Sequence, residues 1–251
     1  MPFFLAVPET MTDSFRLEAI GRLRTPFPGK FGIPRQAGLV ELPGTIEMVP
    51  PYDERAFFEG LEEVSHLWVT FLFHCNLEQG WKGRVRPPRL GGNRRLGVFA
   101  TRSPFRPNHL GLSVVRLHGI ESRGGREVRL RISGVDMLDG TPVVDLKPYL
   151  PYADAVTEAR GGFAGAAPEP RLEVRFTPEL EGRLQAMPEG AELADAIRAL
   201  VALDPRPAYL AGEDHGKEYG MALYRWNLRW RVEDARGEAL VFAMEPLEPP
   251  A

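Results

Sequence analysis

Gly111-Leu112-Ser113-Val114-Val115-Arg116-Leu117-His118-Gly119-Ile120 and Glu127-Val128-Arg129-Leu130-Arg131-Ile132-Ser133 lie on either side of a Gly124-Gly125 pair. Both runs are rich in β-branched and aliphatic side chains, and paired glycines supply the positive φ angles of a tight turn, so the runs are predicted to form a hairpin. Upstream, Ser65-His66-Leu67-Trp68-Val69-Thr70-Phe71-Leu72-Phe73-His74 is an apolar run of strand length bounded by polar loops, and Leu96–Ala100 continues the pattern. Residues 14–24 alternate, with Phe15, Leu17 and Ala19 on one face, and stop at Thr25-Pro26-Phe27-Pro28-Gly29, as a strand followed by a loop does. Residues 53–63 fit one short amphipathic helix, with Asp53 as N-cap and Phe57, Phe58 and Leu61 along it. Strands at this spacing with one helical segment among them predict a mainly β fold, a closed or nearly closed β-barrel. No Gly-x-Gly-x-x-Gly turn follows a strand, which argues against a dinucleotide-binding sheet.

From Thr157 to Pro170 the composition turns small and flexible, as in a linker. Beyond it Arg171–Thr177 reads as a strand and Ala191–Leu203 as a helix with Leu193, Ile197, Leu200 and Val201 on one face. Met221–Val232 and Glu238–Met244 alternate like the arms of a hairpin around residues 233–237. The expected organisation is a β-barrel domain over 14–156, a linker over 157–170 and a small α+β domain over 171–247. At 251 residues and 43% hydrophobic content the chain suffices for packed cores. No apolar run approaches the roughly 20 residues that span a bilayer, and Phe3–Val7 lacks the layout of a signal peptide, so a soluble, cytoplasmic protein is expected. Cys75 stands alone, which rules out an intrachain disulfide.

Charge is distributed unevenly. The formal net charge is -3, yet Gln79–Ile120 holds nine Lys or Arg and no Asp or Glu. Such a patch is suited to an anionic partner, and Arg84, Arg86, Arg89, Arg94 and Arg95 are its candidate contacts to nucleic acid. Within it Thr101-Arg102-Ser103-Pro104-Phe105-Arg106-Pro107-Asn108 carries two prolines that stiffen the backbone, a loop expected to display Arg102, Ser103, Arg106 and Asn108. Arginine offers a planar fork matched to phosphate or carboxylate.

A second informative segment runs from Gly134 to Tyr152. Asp139-Gly140 is a turn signal with Asp136 just before it, and Asp145, Lys147 and Tyr149 share one face if the following residues form a strand. His66, His74 and Cys75, even with His109, lack the short paired spacing of structural zinc sites, so no metal is expected. His215, beside Glu213, Asp214 and Lys217, reads as solvated surface. Neither a Gly-x-Ser-x-Gly elbow nor a P-loop is present, and Ser103 has no cue tying it to a histidine base.

Phe31-Gly32-Ile33-Pro34-Arg35-Gln36, Ser65-His66-Leu67-Trp68, Gly97-Val98-Phe99-Ala100 with the Thr101–Asn108 loop, and Asp136-Met137-Leu138-Asp139-Gly140-Thr141-Pro142 occur in the order that resembles the TsaA/TrmO-type family of tRNA N6-adenosine methyltransferases. The likeness covers about residues 14–155, and Asp204-Pro205-Arg206-Pro207-Ala208-Tyr209 is similar to the family's C-terminal domain. One position departs: after Asn108 the family pattern continues with Pro or another compact residue, whereas His109-Leu110-Gly111 follows here. The resemblance implies a homodimeric β-barrel that binds S-adenosyl-L-methionine (SAM) and methylates N6 of threonylcarbamoyladenosine next to the anticodon of tRNA. It places SAM against Arg102, Ser103 and Arg106, with Asp136, Leu138 and Thr141 at its two ends and Gln36 and His74 nearby. Asp136, Asp139 or Tyr149 would take or orient the N6 proton. Loop bases of RNA stack on aromatic side chains, for which Phe105, Trp81 and Tyr149 are candidates. Two other readings of the same residues are a non-catalytic RNA-binding barrel and a SAM methyltransferase with another acceptor. Arg206, Tyr209 and Tyr224-Arg225-Trp226 read as core or domain interface.

Overall fold

A computed structural model describes residues 14–91, 93–207 and 216–247. Its first half holds β1 (Gly21–Arg24), β2 (Pro43–Met48), β3 (His66–Leu72), β4 (Arg84–Val85), β5 (Leu96–Gly97), β6 (Leu110–Arg123), β7 (Arg126–Ser133) and β8 (Pro142–Pro148). Among the described residues, β1, β2, β7, β6, β3 and β8 close in that order into a barrel, and β4 and β5 form a separate two-stranded ribbon. The expected β6–β7 hairpin is present, with a register shift near the turn.

Period-two side-chain alternation fills the barrel. Leu67, Val69 and Phe71 of β3 point inward with Val115 and Leu117 of β6, Val128, Leu130 and Ile132 of β7, Leu23 of β1 and Ile46 of β2. Each such side chain contributes about 1.5–3 kcal/mol through removal from water. Phe71 faces Gly111 across the β3–β6 ladder, and a Cβ at Gly111 would lie 2.3 Å from the Phe71 ring. Glycine there makes room for the aromatic ring inside the barrel.

Three expectations need correction. The first strand begins at Gly21: Phe15 and Leu17 are 77% and 60% exposed, although they share the odd parity of buried Leu23. The alternation therefore identified the right face but began the strand seven residues early. Residues 53–63 form two 3-10 turns, Arg55–Phe58 and Leu61–Glu63, separated by Gly60 at a φ of 83°, which no continuous helix accommodates. Asp53 caps neither turn; it accepts hydrogen bonds from Arg126 Nη1 at 3.1 Å and from the Glu127 amide at 3.3 Å, tying the segment to β7. Leu96–Ala100 is a strand only over Leu96–Gly97, and Val98–Ala100 is a 3-10 turn.

After the short α1 (Pro151–Asp154), residues 157–170 carry one 3-10 turn, Gly162–Ala164. Then come β9 (Glu173–Phe176), α2 (Pro178–Gln185), α3 (Gly190–Ala202), β10 (Glu218–Leu223), β11 (Trp226–Glu233) and β12 (Glu238–Pro246). The strands form a sheet in the order β10-β11-β12-β9, with β9 parallel to β12. Leu193, Ile197, Leu200 and Val201 of α3 are buried, as their spacing predicts. The Met221–Val232 run is two strands, broken by a turn at Tyr224, whose φ is 51°. Helix α2 was missed, although Thr177 caps it by accepting from the Leu180 amide and Pro178 occupies its first turn. Within the described residues no helix is long and apolar enough to cross a membrane.

The two halves meet along the loop after β1. Phe31 stacks on the fully buried Trp230 with ring centroids 5.9 Å apart, and the Tyr224 amide donates to the Pro26 carbonyl at 2.7 Å. Gly32, at a φ of 92°, sits so close to Met221 that a Cβ would lie 1.8 Å from its sulfur.

Candidate active site

Chain reversal after β7 creates the site. Gly134, at a φ of 75°, turns the backbone, and its carbonyl accepts from the Gly38 amide at 2.9 Å, which lays residues 36–42 alongside 134–136. Val135 and Met137 are buried, so alternation turns Asp136 the other way. Its carboxyl meets the Ser113 hydroxyl from β6 and the Ala37 amide. One oxygen, Oδ1, is sealed from solvent with no hydrogen-bond partner among the described residues. Burial pushes the Asp136 pKa up; bonds from Ser113 and the backbone, and the charge of Arg102, oppose that rise without cancelling it. Arg102 Nη1 in turn donates to Gln36 Oε1 at 2.5 Å. Gln36, Ala37, Arg102, Ser113 and Asp136 thus converge from four separate segments.

The Thr101–His109 loop is held largely by its own polar groups. Thr101 Oγ1 donates to the Val98 carbonyl at 2.8 Å, Ser103 Oγ accepts from the Phe105 amide, and Arg106 Nη1 donates to the Thr101 carbonyl at 2.7 Å. Arg102 and Asn108 are exposed as expected, whereas Ser103 and Arg106 are half-buried and close the loop on itself. His109 is buried at a φ of 49°, its Nδ1 3.0 Å from the Pro104 carbonyl. Proline is locked near −65° and cannot adopt that angle, so a proline at this position would require a different local backbone.

The remaining candidates occupy other surroundings. Asp139 Oδ1 accepts from the Thr25 amide at 2.9 Å, fastening the turn to the end of β1, with Arg24 3.9 Å away. Thr141 is buried and Leu138 half-buried in that turn. Asp145 pairs with Lys147 on the outer face of β8, and Tyr149, on the same face, packs against Trp68 and His66. Tyr149 therefore stands on the barrel exterior. His74 opens the 3-10 turn after β3, half-buried.

Arg84, Arg86, Arg89, Arg94 and Arg95 are all exposed on the β4–β5 ribbon and its loop, and no carboxylate lies within salt-bridge distance of them among the described residues. Of the proposed stacking aromatics, Trp81 is 60% exposed, but Lys82 covers the Phe105 ring at 4.0 Å. Phe99, 78% exposed beside the ribbon, was not singled out from sequence. Ser113 and Ala37 were missed too; the available signal was a hydroxyl at an inward position of an aliphatic strand.

His66 Nδ1 lies 2.9 Å from Ser65 Oγ, and no group of three His, Cys, Asp or Glu among the described residues is placed to hold a metal ion. Arg206, in the loop after α3, is buried against Tyr219 of the C-terminal sheet, and Tyr224 lies at the contact with Pro26. Tyr209 and His215 lie outside the described residues.

Comparison with known proteins places these features in a family. The family model of the tRNA-methyltransferase O N-terminal domain matches residues 22–155, and that of the TrmO C-terminal domain matches 169–247. The tRNA (adenine(37)-N6)-methyltransferase of Escherichia coli is 47% identical over 236 residues, 93% of this chain and 99% of that protein. A Pseudomonas aeruginosa protein named "Putative S-adenosylmethionine-dependent methyltransferase RcsF" is 50% identical over 225 residues, 88% of this chain and 93% of its own length. A crystal structure of TrmO from Pseudomonas aeruginosa superposes with a TM-score of 0.74 at 40% identity, covering 95% of this chain and 100% of that one. The chain belongs to the tRNA-methyltransferase O (TrmO) family.

Proposed function

We propose that this chain transfers a methyl group from SAM to N6 of adenine 37 of tRNA, taking the threonylcarbamoylated base as its acceptor. The observation that carries the reading is the corner where Asp136, with one buried oxygen unsatisfied, meets Arg102 and Gln36 beside an acid-free basic ribbon. A buried acceptor without a donor calls for a ligand that brings one. The donor set fits SAM: Asp136 accepts from a hydroxyl or ammonium group, Arg102 matches a carboxylate, and Leu138 offers an apolar edge. Ser103, Arg106, Thr141, Gln36 and His74 complete the assignment, with Ser103 and Arg106 acting through the shape of the loop they close.

When bound, SAM supplies an electrophilic methyl group on a sulfonium. The protein's task is then positioning, because in-line displacement depends on holding the nucleophilic nitrogen and the methyl carbon in register. Asp136 is the favoured proton acceptor among Asp136, Asp139 and Tyr149, since it alone stands in the Arg102 corner and burial raises its basicity. The arginines of the ribbon neutralise tRNA phosphates, and Trp81 with Phe99 offers exposed rings to unstacked bases. The working unit we propose is a cytoplasmic homodimer of chains divided into 14–156, 157–170 and 171–247. In support of pairing, Leu112, 52% exposed, lies on the outer barrel face near Trp68 and Val114.

Methyl transfer from labelled SAM to tRNA tests the reading. Arg94→Glu with Arg95→Glu should lower kcat/KM for tRNA at least roughly tenfold at moderate salt while SAM affinity holds. Unaltered turnover would remove the ribbon from the tRNA site, and absence of transfer by the wild type would leave an RNA-binding barrel.

A further inference from the structure

The Thr101–His109 loop contains Pro104 and Pro107, whose nitrogens have no hydrogen to donate, so its closure falls to side chains and to the remaining amides. Two side chains bond across it to backbone carbonyls. Arg106 Nη1 donates to the Thr101 carbonyl at 2.7 Å, and the His109 ring places Nδ1 3.0 Å from the Pro104 carbonyl. Arg106 is half-buried, whereas His109 is buried. The histidine also bonds through its backbone: its amide donates to the Arg106 carbonyl at 3.1 Å, and its carbonyl accepts from the Phe73 amide at 2.8 Å, just past the end of β3. Ring and amide thus reach back into the loop while the carbonyl fastens it to the barrel. At a φ of 49° most side chains are strained, but histidine is among the few enriched in that region. From there the chain passes directly into β6 at Leu110, and three residues further on Ser113 meets Asp136.

A backbone carbonyl only accepts, so the ring nitrogen that bonds it carries the proton. In a neutral imidazole that selects the Nδ1–H tautomer and leaves Nε2 with a lone pair. Pro104 is joined to Ser103 and stands two residues from Arg102, so movement of its carbonyl moves the stretch that carries both. We infer that His109 is a positioning residue for methyl transfer: its ring, protonated at Nδ1, braces the loop through the Pro104 carbonyl and so holds Arg102 and Ser103 at the SAM site. The inference rests on the placing of SAM against this loop, proposed above. His109 acts through the loop and need not touch the reacting atoms.

Glycine adopts positive φ freely, so His109→Gly in the full chain keeps the backbone turn and removes the ring. With SAM varied at saturating tRNA, KM for SAM should rise about three- to tenfold, the range of one lost neutral hydrogen bond, while kcat stays within about twofold. His109→Asn, which tolerates positive φ and offers an amide nitrogen near the place of Nδ1, should restore KM to within about twofold of the wild type. A fall in kcat with KM for SAM unchanged is what a loss of folded enzyme gives, and it overturns the inference, as does failure of asparagine to restore KM. Nitrogen-15 NMR of the labelled wild type near pH 8, with the His109 signals identified by their loss in His109→Asn, should show a proton on Nδ1. A lone pair there overturns the inference even where His109→Gly does not fold. SAM affinity indifferent to Arg102→Ala would instead sink the placing of SAM on which the inference rests.

Discussion

Each half of the molecule buries acidic side chains, and the two halves treat them oppositely. In the C-terminal half Asp204 and Asp234 share the Arg206 guanidinium: Arg206 Nε and Nη2 reach Asp204 at 2.7 and 2.9 Å, while Nη1 and Nη2 reach Asp234 at 2.8 and 2.9 Å. Asp234 first, then Asp204, holds the Arg206 pKa far above the usual guanidinium range. In the barrel Asp136 keeps an oxygen without a partner, and its nearest cation, Arg102, is exposed and turned to Gln36. A closed set of charges strengthens a fold and offers a ligand nothing, whereas an open set weakens the fold and offers a ligand its missing bond.

The largest effect should come from opening the closed set. Arg206→Ala removes the guanidinium that Asp204 and Asp234 share and should cost about 3–5 kcal/mol, read as an early unfolding transition in urea. If it unfolds like the wild type, the triad is not structural and the contrast collapses. A smaller effect is expected at the open site, where Arg102→Ala should weaken SAM binding about 10- to 100-fold, the range of a hydrogen bond to a charged group worth about 1.5–3 kcal/mol. Calorimetric titration decides this, and unchanged affinity would detach Arg102 from the cofactor.

The smallest effect has the opposite sign. Asp136→Asn should gain about 1 kcal/mol, or about 2–4 °C in Tm, near neutral pH while methyl transfer falls. The folded pKa of Asp136 is raised, so its protonated form is favoured on folding; wild-type stability is then greatest below the ordinary carboxylate value of about 3.9 and declines as pH rises through the folded value. The advantage of the Asn variant should therefore be absent in acid, open across that window and stay constant above it. A Tm difference independent of pH would show that Asp136 is not desolvated.

The comparison also shows what a sequence can carry. Strands β3, β6 and β7 were legible because seven or more residues repeat one period against a single buried face. Residues 53–63 were not, since apolar spacing over one or two turns cannot separate an α-helix from 3-10 turns when a positive-φ glycine interrupts it. At the site, Arg102, Gln36 and Asp136 were named from motifs, but their meeting depends on the Gly134 turn and the Gly38 amide, contacts spanning about a hundred residues. Ser113 escaped because its partner lies on a different segment. Arg106 was expected on display, yet the Thr101 carbonyl claims its guanidinium, a local bond that the spacing of the prolines does not reveal.

Gly32 and Met221 are matched to within less than one methyl group. Four residues beyond Gly32 the same loop delivers Gln36 to Arg102. A side chain at position 32 would have to displace Met221 and would be strained at that φ besides, so two separate stretches of sequence constrain one contact. Whatever alters the seating of the C-terminal sheet on this loop is transmitted along four residues of backbone to the hand that holds Arg102.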